Sequence, residues 1–281
     1  MAEGLYRYCY DAMATTFEVL LPARDLEESY ASQAAGAVYQ EIERLEEELS
    51  RFRASSDIYR LGLLKAGDSM RVGLAAWDCL SLAKAVHQET QGAFDVTVGP
   101  LMRLWRTRDG TPRTPSAEEI ASVRALTGSQ LFEMDEDSLS VTVHAAPMAF
   151  DLGGIGKGYA LDQAVTVLEQ WGIQHALLNA GDSTLLALGD GTDGPGWPLR
   201  LHPESPPIRL SNRAVSGSGF LQQGEHIMDP RTLQPVPIDD QRRYAEGPTA
   251  ALTDALSTAF TVMSAEERTA FLARYPDITF H

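Results

Sequence analysis

Apolar and polar positions along the chain change period from one segment to the next. Over residues 12–21, Thr15, Phe17, Val19 and Leu21 alternate with their neighbours, which predicts a strand that Pro22 ends. Between 26 and 49, Ala31, Ala34, Ala35, Val38, Ile42, Leu45 and Leu49 recur every three or four positions. That spacing predicts a long amphipathic helix whose acidic outer face covers 41–48. Residues 74–88 predict a second helix, closed by Gly92, and 139–143 alternate like a strand. A third helix is predicted over 159–171, with Leu161, Ala164, Val165, Leu168 and Trp171 as its inner stripe and Gly172 as its stop. Strands over 176–179 and 184–188 flank a turn at Gly181, and the glycine- and proline-rich stretch 189–207 reads as a surface loop or linker. A helix over 253–263 follows. Ser264-Ala-Glu-Glu267 has the capping-box pattern and starts the last helix. No repeat of fixed period is present. Helices and strands mix without strict alternation, so the expected class is α+β, with mixed sheets and flanking helices around a central cleft, in two lobes or one. Residues 1–281 are taken as a single domain.

The chain has 281 residues and a net charge of −16. Such a balance argues against non-specific nucleic-acid binding and against docking on an anionic membrane. An anionic ligand must then be received by local positive charge or by a metal. Cys9 and Cys79 are the only cysteines, so neither a disulfide framework nor a metal-ligand spacing can be read from them. The first residues lack the apolar core of a signal peptide, and no run is long enough to span a bilayer. The expected location is the cytoplasm.

Four motifs carry candidate chemistry. Asp151-Leu-Gly-Gly-Ile-Gly-Lys-Gly-Tyr-Ala-Leu-Asp162 sets four glycines and one lysine between two aspartates, at the start of the third helix. Glycine permits backbone conformations and close approaches that a side chain would block. A lysine there, with the amides of a helix start, favours phosphate. The segment has neither the ending of a Walker loop nor the spacing of a dinucleotide fingerprint. In Thr253-Asp254-Ala-Leu-Ser257-Thr258, Asp254 and Thr258 are four apart and share a helix face. They offer hard oxygens to Mg²⁺ or Ca²⁺. Alternatively, the aspartate serves the helix dipole and the threonine bonds its own backbone. His226-Ile-Met-Asp229-Pro-Arg231-Thr follows the run Ser216-Gly-Ser-Gly219. Its histidine can move a proton near neutral pH, and Arg231 can pair with Asp229 or with phosphate. A structural Asp-Pro turn is the plainer alternative. Asp95, in the segment beginning Gly92-Ala-Phe, either contacts a ligand or organises its turn, and Asn179-Ala-Gly-Asp182 reads as a turn. Nucleophile-elbow, zinc-protease and Cys/His metal patterns are missing from the sequence.

In wording and order these motifs resemble the ApbE family, the FAD:protein FMN transferases. The likeness runs from about Met13 to Met263. It passes through Met13-Ala-Thr, Leu49-Ser-Arg-Phe52, Gly92-Ala-Phe-Asp-Val-Thr-Val-Gly-Pro-Leu101 and Asp151-Leu-Gly-Gly-Ile-Gly-Lys-Gly-Tyr-Ala160. It continues through Ser218-Gly219, His226-Ile-Met-Asp-Pro-Arg-Thr232 and Asp254-Ala-Leu-Ser-Thr258. Each motif alone is weak, and their shared order is the specific signal.

The resemblance implies an enzyme that takes FAD as substrate and needs Mg²⁺. It would move the FMN part onto a threonine or serine of a target protein and release AMP. By position, it implies that Met13, Phe52, Ala93, Phe94 and Asp95 border the flavin and its sugar chain. Asp151, Lys157 and Ile227 would hold FAD, with Lys157 near the phosphates. The Gly154 carbonyl, Asp254, Ser257 and Thr258 would hold the metal, and His226 would be catalytic. The chain departs from the family pattern at several positions. Asp182 stands where a glycine is frequent, and Leu233 replaces the glycine after Asp-Pro-Arg-Thr. The same residues would also serve FAD hydrolysis to FMN and AMP, or a flavin-binding protein that does not transfer; Asp182 keeps the latter open.

Overall fold

We describe the protein from a computed structural model, which places residues 4–107, 111–218, 227–237 and 242–281. The chain begins with a hairpin of β1 (Leu5–Ala12) and β2 (Thr15–Pro22), where the sequence predicts one strand over 12–21. The turn is Met13-Ala14, with φ of 50° and 58°. Such turns match the twist of the strands but favour Asn-Gly, so nothing in Met-Ala announces one. The long helix α1 (Glu28–Leu49) buries the seven residues of its predicted stripe. Next come α2 (Asp57–Leu61), β3 (Ser69–Arg71), α3 (Leu74–Glu89), α4 (Gly99–Leu104), α5 (Ala117–Arg124), β4 (Phe132–Asp135) and β5 (Ser140–Val143). The central helix α6 (Gly156–Gln170) leads into β6 (Ala176–Ala180), β7 (Thr184–Leu188), β8 (Trp197–Leu199), β9 (Ile208–Leu210) and β10 (Arg213–Ser218). The last part holds β11 (Met228–Asp229), β12 (Gln234–Pro235), β13 (Arg243–Gly247), α7 (Ala250–Val262), α8 (Ala265–Arg274) and β14 (Thr279–Phe280). The helix after Ser264 has both bonds of its capping box, as the sequence predicts.

Seven strands form one antiparallel sheet in the order β1-β2-β6-β7-β10-β13-β14. A smaller sheet, β3-β5-β4, lies beside it. The mixture of antiparallel sheets and helices is the expected α+β class. Helices α1, α6 and α7 pack next to one another against the large sheet. Leu177, Ala187 and Val215 point elsewhere, into a separate cluster with Trp197 and Leu210 of the β8–β9 hairpin. Part of the predicted loop over 189–207 is therefore a strand whose tryptophan is buried against the sheet. Strand β6 is covered on both faces and buried at every position, which is why it shows no alternation. The main core is continuous from Ala12 to Ile278 and includes Phe132, Val141 and Val143 of the small sheet.

Helices α6 and α7 are locked together at their starts. A Cβ on Gly158 would lie 2.2 Å from the Ala250 carbonyl oxygen, so only glycine fits there. Asp162 of α6 accepts the Ala250 and Ala251 N–H groups at 2.8 and 2.9 Å. In return, Asp254 of α7 accepts the Gly158 N–H at 3.2 Å. Each helix thus lends a carboxylate to the other's unsatisfied N-terminal amides, where the dipole favours negative charge.

Candidate functional site

The glycine motif meets α7 at this junction. The sequence predicts a helix from 159, but α6 begins at Gly156, so Lys157 and Gly158 belong to its first turn. Two glycines of poor helix propensity hide that start. None of the four loop glycines takes a positive φ; what they provide is close approach. A Cβ on Gly154 would sit 3.0 Å from Thr258 Oγ1 and 3.3 Å from the Phe94 ring. Lys157 folds back so that its Nζ donates to the Gly153 carbonyl at 2.8 Å. Residues about a hundred positions apart therefore converge: Gly154 on Thr258 and Phe94, Gly158 on Asp254.

The face of α7 turned to this loop is polar yet covered. Asp254 is 4 % exposed. Burial pushes its carboxyl above the usual range, while nearby Lys157, the Gly158 N–H and the Thr184 hydroxyl pull it down. Ser257 Oγ donates to the Asp254 carbonyl at 2.9 Å, and Thr258 Oγ1 does so weakly at 3.4 Å. Ser218 at the end of β10 adds a hydroxyl 2.7 Å from Ser257 Oγ and 3.3 Å from Thr258 Oγ1. The back-bonding alternative is thus part of the arrangement, but it leaves a buried carboxylate among hydroxyls. Among the described residues no three His, Cys, Asp or Glu side chains cluster as metal ligands. A cation here would be held by one carboxylate with hydroxyl and carbonyl oxygens, a hard donor set that fits Mg²⁺.

Of the other sequence candidates, Phe94 approaches Gly154 and Asp151 precedes it in the same loop. Asp151 anchors the loop through its N–H to the Val96 carbonyl at 2.7 Å, and its carboxylate pairs with Arg51 at 2.5 Å. Arg51 lies over the ring of Phe52, 4.7 Å from its centre. Phe52 is 78 % exposed, an open aromatic face beside the loop. Met13, at the strained hairpin turn, donates its N–H to Glu46 Oε1 at 3.1 Å, and Arg53 holds the other oxygen of Glu46 at 2.9 Å. Ala93 and Phe94 are buried. The Asp95 carboxylate accepts from Thr97 N and Oγ1, Ser129 N and His87. Burial opposes its ionisation, but the bonds from His87 and Thr97 hold its carboxyl below the ordinary value, and the same bond to Asp95 raises the His87 imidazole. Asp95 organises its turn, so what residues 93–95 can offer a ligand is backbone and ring surface.

His226 lies outside the described residues. Ile227 beside it is buried and accepts the Val236 N–H at 2.9 Å. Asp229 forms the anticipated turn, accepting the Arg231 N–H at 2.9 Å, while Arg231 also bridges to Glu267 at 2.6 Å and packs against Gly92. Arg231 pairs with carboxylates of the fold. Leu233 takes φ 61° in the position where the resemblance expects glycine, and it is buried. Asp182 has φ 55° and is bonded to Asn179 through side chain and backbone. Ser218, Thr184 and Arg51 are additions that sequence reasoning gave no role. Ser218 and Arg51 stand inside quoted motifs, whereas nothing local marks Thr184.

A cavity of about 610 Å³ is lined by Asp78, Tyr159, Asp162, Asn212 and Thr249 among others, on a flank of α6 that excludes Lys157 and Gly154. Size alone does not identify the site, and the convergent motifs are the better guide. No helix among the described residues is long and apolar enough to cross a membrane.

Comparison with known proteins bears on the family and the fold. An FAD:protein FMN transferase of Klebsiella pneumoniae (strain 342) is 30% identical over 238 residues, 82% of this chain and 74% of the relative. One from Escherichia coli (strain K12) is 25% identical over 277 residues, 91% of this chain and 77% of its own. The apo crystal structure of the Pseudomonas stutzeri flavinyl transferase ApbE superposes with a TM-score of 0.87 at 26% identity, covering 98% of this chain and 90% of that one. The ApbE family model matches residues 13–280. With its fold and nearly its whole length in agreement, the chain belongs to the ApbE family.

Proposed function

We propose that this protein is an Mg²⁺-dependent FAD:protein FMN transferase acting on a serine or threonine hydroxyl of an acceptor protein and releasing AMP. The observation that carries the reading is the contact of Gly154 with Thr258 and of Gly158 with Asp254, which sets a buried carboxylate and hydroxyls beside Lys157. The Lys157 ammonium suits a diphosphate. Asp254, Ser257, Thr258 and the Gly154 carbonyl suit the cation. When bound, Mg²⁺ neutralises diphosphate charge and stabilises the departing phosphate. Phe52, Met13 and the 93–95 segment would border the flavin, with Ile227 against FAD.

In this reading the acceptor hydroxyl oxygen bonds to the phosphorus on the riboflavin side, and the bond from that phosphorus to the bridging oxygen breaks. AMP leaves with the bridging oxygen. The hydroxyl proton passes to His226, assigned on sequence grounds; such help is commonly worth about 10²–10⁴ in rate. The test is to mix the protein with FAD, Mg²⁺ and an acceptor fragment carrying a flavinylation motif. Covalently fluorescent fragment is expected, and His226→Asn should slow labelling at least about a hundredfold while FAD still binds. Free FMN and AMP without labelling would make the protein a hydrolase. Intact bound FAD would make it a carrier.

A further inference from the structure

Three buried hydroxyls stand in a row behind Asp254. Thr184 of β7 and Ser216 of β10 are cross-strand partners, and Thr253 immediately precedes Asp254 on α7. None of the three is more than 1 % exposed. Ser216 Oγ donates to Thr184 Oγ1 at 3.1 Å and lies 2.9 Å from Thr253 Oγ1. Thr253 Oγ1 also reaches the Ala250 carbonyl of its own helix at 3.1 Å. The Thr184 hydroxyl in turn bonds to the Asp254 carboxyl.

A hydroxyl has one proton to give. With the Ser216 proton on Thr184, the 2.9 Å contact is filled by Thr253 donating to Ser216. The Thr184 proton is then left for the carboxylate. The donors therefore run in one direction, from Thr253 through Ser216 and Thr184 to Asp254. Packing does not ask for this chain. Leu186 and Ala214 lie two positions from Thr184 and Ser216 on the same strand faces and belong to the main core, as does Ala245 opposite Ser216. Burying a hydroxyl on such a face costs free energy that valine or alanine would avoid, and the bonds within the chain only offset that cost. What the chain adds is a donor from the sheet, at a carboxylate that α6 already holds through the Gly158 N–H at 3.2 Å. Donors on two separate elements fix where the carboxylate points.

We propose that Thr184, oriented by Ser216 and Thr253, is a positioning residue that presents Asp254 to the cation. This rests on the reading of Asp254 as a cation ligand and adds what aims it. Groups that orient a metal's ligands are commonly worth about 10–100-fold in metal affinity.

The test titrates Mn²⁺ into the full chain, alone and with FAD, and follows the loss of the free ion's electron spin resonance signal; Mg²⁺ should compete. Thr184→Val keeps the shape but not the hydroxyl, and should lose at least about tenfold in Mn²⁺ affinity. Thr184→Ser keeps the hydroxyl and should stay close to the wild type. Ser216→Ala should show a smaller loss in the same direction, and Asp254→Asn should lose the site. Melting curves read alongside establish that each variant is folded. Wild-type affinity in Thr184→Val, or equal losses in Thr184→Val and Thr184→Ser, would overturn the positioning role. Should Thr184→Val fail to fold, Ser216→Ala decides, and unchanged affinity there would overturn it. If Asp254→Asn alone loses Mn²⁺, the cation site stands and only the hydroxyl chain falls. A wild type that takes up no Mn²⁺, or an Asp254→Asn variant that binds it as the wild type does, would remove the cation site and the chain together.

Discussion

Lys157 is the side chain through which the glycine motif and α7 meet electrostatically. Its ammonium lies near enough to Asp254 to oppose the effect of burial on that carboxyl, while among the described residues its Nζ is bonded to a carbonyl, Gly153, and to no carboxylate. A group so placed can turn to a phosphate without breaking an ion pair of the fold. Lys157→Gln should therefore weaken FAD binding by about tenfold, the scale of one charge-assisted bond, and leave thermal stability nearly unchanged. Titration of FAD fluorescence checks this; unaltered affinity would remove Lys157 from the phosphate site. Asp95 gives the opposite lesson. Its motif resembles a ligand-bordering segment, yet its carboxylate is consumed by Thr97, Ser129 and His87. The sequence shows a carboxylate in a conspicuous place but not the direction it faces, which is set by a serine over thirty positions away.

At the scale of elements, the reciprocal aspartates and the glycine contact between α6 and α7 hold the site in register. Gly158→Ala would drive a methyl into the Ala250 carbonyl and separate the helices, costing about 1–3 kcal/mol. Gly36, mid-way along α1, has nothing within 4 Å of a would-be Cβ. Gly36→Ala should instead stabilise by about 0.5–1 kcal/mol. Melting curves of the two variants separate close approach from helix propensity, and equal shifts would refute the contact. Asp162 carries a pH signature. Burial pushes its carboxyl up to about 6 despite the bonds from Ala250 and Ala251. A raised carboxyl contributes stability that is complete below the unfolded value near 4 and is lost as pH rises through about 6. Between pH 4 and 7 the wild type should lose about 2–3 kcal/mol relative to Asp162→Asn, and parallel pH profiles would contradict it. The long periodic helix α1 was fully legible in the sequence, because its stripe faces one core along its whole length. The start of α6 and the β1–β2 turn were not, since glycines and a Met-Ala pair occupy positions whose conformation is imposed by packing. Strands β10, β13 and β14 escaped notice for a related reason: they are short and defined by partners far along the chain.

For the whole molecule, the proposed reading has an acidic chain receive phosphate in one small region, through a lysine and a hydroxyl-lined carboxylate that suits a cation. The family was legible because the order of motifs survives where each motif alone does not decide. The convergence itself could only be read from the fold, since sequence does not say that Thr258 touches Gly154. The central claim is that this junction of α6 and α7 is the cation and diphosphate site. The most direct measurement is AMP release from FAD as Mg²⁺ is titrated, with an acceptor fragment present, in the wild type and in Asp254→Asn. The account predicts that the wild type turns over only as Mg²⁺ is added. It also predicts that the variant, folded by circular dichroism, is slower by at least about a hundredfold, a loss of roughly 3 kcal/mol in the barrier. Wild-type rates and wild-type Mg²⁺ dependence in Asp254→Asn would contradict it.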